Sequence, residues 1–94
     1  MRPHIAVRRI GIILRSIFPK VLSRLEDADF PAGKHIDHIV PSAKLAFLHD
    51  ENEGRRKESQ DWCRANHYKL VTISSSDMMN EVDIKAAIKR AINA

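Results

Sequence analysis

The 94-residue chain is expected to fold as an α/β domain, a small mixed sheet flanked by helices in the order α-β-β-α-β-α. Three features of the sequence predict this class. Apolar residues recur at helical steps near both ends. Two short β-type runs stand on either side of Pro41-Ser42-Ala43. A third such run, Tyr68 to Ile73, follows a polar stretch of helix length.

The first element is a helical segment over residues 5–26. There Ile10, Ile13, Leu14, Ile17, Val21, Leu22 and Leu25 fall at three- and four-residue steps and form one apolar stripe. Pro19 lacks the amide a helix interior needs, so it either kinks this helix or opens a second one. Residues 34–40 and 44–49 read as strands joined in a tight antiparallel hairpin. The second is almost wholly apolar, as a central strand covered on both faces would be. Residues 55–67 form a helix that buries Trp62 and Cys63 or Ala65. The third strand is followed by the polar run Ser74 to Asp77. A last helix over 80–93 stacks Ile84, Ile88 and Ile92, with Ala87 and Ala91 beside them. A strand-helix-strand crossover normally leaves its two strands parallel, which makes the sheet mixed.

Length and composition fit a single domain, 1–94, with 44% hydrophobic and 30% charged residues. No apolar run approaches the roughly 20 residues that span a bilayer. The single cysteine, Cys63, excludes an internal disulfide and a thiolate zinc cluster. It points to a reducing, intracellular setting, a cytoplasm or that of a phage-infected host, with Cys63 a buried spectator. The net charge is +4, and the first acid, Glu26, comes only after six cations: Arg2, Arg8, Arg9, Arg15, Lys20 and Arg24. A basic lobe of this kind suits a polyanion, because neutralising phosphates releases condensed counterions. It also has the look of an organelle transit peptide, but it runs without a cleavage-like break into a structural helix.

Asp37 stands out because an acid among Ile36, Ile39 and Val40 is disfavoured in a strand without a purpose. Arg55, Arg56 and Lys57 stand out for a similar reason, since cations at a helix start oppose its dipole. Phosphate contact would explain them.

The stretch from Ile36 to Ile92 resembles the core of restriction-endonuclease-like proteins, the PD-(D/E)XK superfamily, and in particular its very-short-patch-repair-like branch. The resemblance rests on Ile36-Asp37-His38-Ile39-Val40-Pro41, Lys44 to Asp50, Arg55-Arg56-Lys57, His67 to Ile73 and the helix from Asn80. Homing endonucleases with a Glu, Asp, x-His-Asp signature are most similar: Asp37 matches the strand Asp, and Leu48-His49-Asp50 matches x-His-Asp. The signature's Glu belongs to the N-terminal helix, where Glu26 is the match. The chain departs from the superfamily pattern in having Leu48 where a Glu is usual, and no Lys after Asp50. The strand that the family has ahead of its Asp is either compressed into Phe30 to Gly33 or missing.

The resemblance implies a metal-dependent DNA endonuclease that hydrolyses phosphodiester bonds, of homing or of repair and junction type. A divalent ion, Mg2+ or Mn2+, would be held by Asp37 and Asp50, activating water and neutralising charge on the phosphorane. His49 would accept the water's proton, and Glu26 would orient the ion's water shell. Arg8, Arg9, Arg15, Arg55, Arg56 and Lys57 would meet the DNA. Cutting both strands with so short a chain implies a homodimer. Two other readings stay open. One is a catalytically inactive nucleic-acid-binding or assembly module on the same scaffold, which the missing Glu and Lys favour. The other is an HNH-type nuclease, because Asp37-His38-Ile39-Val40-Pro41 resembles the opening of that motif, with His38 as the base.

Overall fold

The computed structural model describes residues 3–32, 36–49, 53–73 and 81–93. Its elements run α1 (Pro3–Ile17), β1 (Leu22–Ser23), β2 (His38–Val40), β3 (Leu45–His49), α2 (Glu53–Asn66), β4 (Lys69–Ile73) and α3 (Glu81–Asn93). The mixed α/β class is as expected, but the order gains a strand. The sheet is ordered β1-β2-β3-β4; its first three strands are antiparallel neighbours, and β4 runs parallel to β3 after the α2 crossover.

Two expectations about the N-terminal third are corrected. The helical segment does not reach residue 26: α1 ends at Ile17, two residues before Pro19. Beyond the proline the chain is extended. Leu22 pairs with Ile39 and Ser23 with His38, so residues assigned to the helical stripe form the short strand β1. The physical reason is competition. Proline ends the helical ladder, and the open edge of β2 offers the freed backbone its hydrogen bonds.

Side-chain alternation divides the core into two layers. Val40, Leu45, Phe47, Val71 and Ile73 lie on one face, packed with Ile10, Ile13 and Leu14 of α1 and Ile84 and Ile88 of α3. Ile39 and Ala46 lie on the other with Cys63 of α2, and half-buried Leu22, Trp62, Tyr68 and Leu70 close that layer. The central strand β3 is buried at all five positions, as its unbroken apolar run requires. Ala65 and Ile92 are exposed; Cys63 anchors α2, and Ile84 and Ile88 anchor α3.

Pro41–Ala43 form a single 3-10 turn between β2 and β3, closed by the Lys44 amide donating to the Pro41 carbonyl with Lys44 left-handed at φ 54°. His67 takes the same left-handed conformation, φ 60°, just past α2, where the Tyr68 amide donates to the Cys63 carbonyl at 2.8 Å. That is a Schellman-type helix stop. No described helix is long and apolar enough to cross a membrane.

Candidate functional site

Asp37 sits one residue before β2 and is completely buried. Its backbone is pinned on both sides: its amide donates to the Phe47 carbonyl at 3.0 Å, and its carbonyl accepts from the Arg24 amide at 2.9 Å. The carboxylate is equally engaged. Oδ2 accepts the His49 backbone amide at 2.9 Å. Oδ1 accepts Nη2 of Arg24 at 3.0 Å and Nη2 of Arg55 at 3.2 Å. A buried carboxylate needs compensation of this kind, since an unpaired one would be too costly to desolvate.

The alternation that orders the core also places this group. Asp37 is in phase with Ile39, on the α2 side of the sheet, and Arg55 reaches it from the first turn of α2. Arg24 follows β1 in phase with Leu22 on the same side. One carboxylate thus holds two guanidinium groups, leaving one positive charge in excess. The arginine side chains are 30% and 34% exposed.

His49 reaches Asp37 through its main chain, not its ring. The ring belongs with Leu45 and Phe47 to the α1 and α3 side of the sheet, and Nδ1 donates to the Ile73 carbonyl at 3.0 Å. That bond fixes a hydrogen on Nδ1. Leu48, standing where the family's Glu is usual, is wholly buried. Asp50, the second expected metal ligand, lies outside the described residues, as does His35.

Glu26 is not brought to Asp37. It lies in the turn after β1 and forms an ion pair with Arg15, which also donates to Ser23 Oγ at 2.8 Å. The Ser23 hydroxyl in turn donates to Nδ1 of His38 at 2.7 Å, and Nε2–H of His38 donates to the Val7 carbonyl at 2.6 Å. These bonds tie α1, β1 and β2 together around a histidine that is 2% exposed. Burial pushes the His38 pKa below its usual 6.5, against the opposing pulls of the Val7 carbonyl and Asp37.

The basic residues expected at nucleic acid do not form one surface. Exposed Arg8 and half-buried Arg9 belong to α1, across the sheet from Arg55, Arg56 and Lys57 of α2; Arg56 and Lys57 are exposed. Arg15 is engaged with Ser23 and Glu26. Arg24 is the residue that sequence reasoning missed. Its signal was present, because it closes the acid-free basic lobe, but only a strand at 22–23 turns it toward Asp37. Cys63 is buried, and burial raises its thiol pKa to about 11, which makes it unreactive.

A divalent ion requires hard oxygen donors and a place where positive charge is accommodated. Asp37 Oδ1 is a hard donor, but it already accepts two guanidinium groups, which a divalent ion would have to displace. No group of three His, Cys, Asp or Glu side chains among the described residues could hold a metal ion. Asp37 supplies one carboxylate at this point, and any second ligand would lie outside the described residues. No protein-family model, curated protein or solved structure matches the chain.

Proposed function

We propose that the chain is a metal-dependent DNA endonuclease built on a restriction-endonuclease-like core. The observation that carries this reading is the setting of Asp37. A fully buried acid lies at the start of β2, tied to the end of β3 by the His49 amide and to the start of α2 by Arg55. The resemblance puts its acid at this junction. A strand, β1, does precede the Asp-bearing strand, at Leu22–Ser23 and not in the stretch from Phe30, and it is compatible with the same reading.

Asp37, with Asp50, would hold Mg2+ or Mn2+, which when bound supplies an activated water and neutralises charge on the scissile phosphate. The chain's own contribution is positional. The His49 amide orients the carboxylate, and Arg24 and Arg55 keep positive charge beside it. The His49 ring is bonded to the Ile73 carbonyl, and only its main-chain amide reaches Asp37. Proton acceptance by His49 thus draws no support from the described geometry. His38 has both ring nitrogens bonded within the protein and is 2% exposed, which speaks against its acting as the base of an HNH nuclease. DNA remains the proposed partner, and a homodimer the proposed assembly for cutting two strands.

The second reading is an inactive nucleic-acid-binding module on the same scaffold. It is favoured by the state of Asp37, whose two oxygens already accept three protein donors. Incubation of supercoiled and branched DNA with the protein in Mg2+ or Mn2+ separates the two. The endonuclease nicks the DNA and stops on addition of a chelator. A protein that binds DNA but yields no nicked product in either metal is the inactive module.

A further inference from the structure

We infer that Arg24 and Arg55 form a clamp for one phosphodiester group of the nucleic-acid backbone, with Asp37 as the post that positions both guanidinium planes. The inference rests on the nucleic-acid reading above and adds to it a site and a residue, Arg24, that was not among the residues expected to meet the DNA.

Four observations carry it. Both arginines bond the same carboxylate oxygen, at 3.0 and 3.2 Å, so their terminal groups converge on one point from β1 and from α2. The post is held in place: Asp37 is fully buried, its backbone is bonded on both sides, and its second oxygen accepts the His49 amide. The pair carries one positive charge more than the carboxylate cancels. Donors are also left over: each guanidinium has five N–H groups, each side chain remains about one-third exposed, and Arg24 Nε is buried with no acceptor among the described residues.

An anion with several oxygens in a fixed tetrahedron suits two such forks better than a point charge does, and phosphate is the anion that arginine pairs take up in this way. Arg55 adds a further argument. In the first turn of α2 a cation opposes the helix dipole, while an anion held there is favoured by it. Asp37 balances only one of the two guanidinium charges.

The geometry favours a backbone contact over base readout. The two side chains are anchored at the end of a sheet and at the start of a helix. Their terminal groups are fixed beside a buried carboxylate. The clamp would therefore strengthen binding to every sequence alike.

The test is fluorescence anisotropy of a labelled DNA duplex titrated with the full chain at several salt concentrations. Arg24→Gln and Arg55→Gln should each weaken binding about tenfold, as loss of one charged phosphate contact does. Each should lower the slope of log K against log salt by up to about one, and the double variant should lose little more than one phosphate's worth of slope. Arg64→Gln removes the same charge near the far end of α2 and should leave the slope close to that of the wild type. Arg24→Lys and Arg55→Lys keep a cation beside Asp37 and serve where the glutamine variants fail to fold. They should retain the slope but lose affinity, because an ammonium does not replace a planar fork.

Wild-type binding with unchanged affinity and slope in the arginine variants would overturn the clamp and leave DNA binding standing. A slope lowered equally by Arg64→Gln would reduce the effect to net charge and overturn it too. A wild-type chain that binds no duplex would overturn both the clamp and the nucleic-acid reading on which it rests.

Discussion

The amide of His49 donates to Oδ2 of Asp37 at 2.9 Å, joining the last residue of β3 to the acid that precedes β2. The carboxylate is thereby oriented by main chain, the least mobile donor available. Its other oxygen is left to the two arginines. Removing the charge while keeping the shape tests this arrangement. Asp37→Asn should destabilise the fold by about 1–3 kcal/mol, because an amide cannot satisfy two guanidinium groups and a backbone donor together. In a domain of this size that lowers the midpoint of thermal unfolding by several degrees. An unchanged melting curve would mean that the bonds to Asp37 contribute no net stability.

Gly11 marks a second close approach. A Cβ at this position of α1 would lie 2.8 Å from Cε1 of His38 and 3.3 Å from Nη1 of Arg15. Gly11→Ala would ordinarily favour a helix, yet here it should cost about 1–3 kcal/mol through overpacking. The double variant Gly11→Ala, His38→Ala should be less destabilised than the sum of the singles, since the clash needs both partners. Denaturant unfolding of the four proteins measures the coupling. Strict additivity would refute the contact.

His38 gives stability a pH dependence of definite sign. Burial holds its folded-state pKa below the usual 6.5, so the unfolded chain takes up a proton first as pH falls. Its contribution is fully present above pH 6.5. It is lost progressively below that value, down to the folded-state pKa. Urea unfolding at a series of pH values, wild type against His38→Gln, should show the wild type losing its excess stability over this range. Parallel curves would show that His38 is not the titrating group.

How much of this was legible in the sequence differs by residue. Asp37 could be read because an acid inside an Ile-Ile-Val strand violates strand preference, and such violations mark positions under other demands. The hairpin and the crossover could be read because β3 is continuously apolar and α2 is long. β1 could not be read: a two-residue strand has no alternation to detect, and Leu22 sits in phase with the preceding helical stripe. Missing β1 concealed Arg24, since only strand pairing turns it toward Asp37. The bond between Ser23 and His38 was hidden for the same reason. The place of Glu26 could not be read either, because its meeting with Arg15 depends on the helix ending at Ile17 and the chain turning back after Pro19. Nothing in the sequence distinguishes the ring of His49 from its amide as the group that faces Asp37.

His67 offers a gain of stability. It holds φ at 60°, where a Cβ is strained, immediately after α2. His67→Gly should stabilise the protein by about 0.5–1 kcal/mol, since glycine adopts this conformation freely and the stop between Tyr68 and Cys63 is retained. Chemical denaturation with an unchanged m-value would register it. Destabilisation would place a needed contact on the imidazole.

The proposed activity depends on Asp37 above any other residue. The decisive measurement is the rate of nicking of supercoiled DNA in Mn2+, wild type against Asp37→Asn, at a temperature where both are folded by circular dichroism. The wild type should nick the DNA, and the variant should lose that activity by about a hundredfold or more, as loss of a metal-ligating or charge-stabilising group does. Nicking at the wild-type rate by folded Asp37→Asn would contradict the assignment of Asp37 as the working acid.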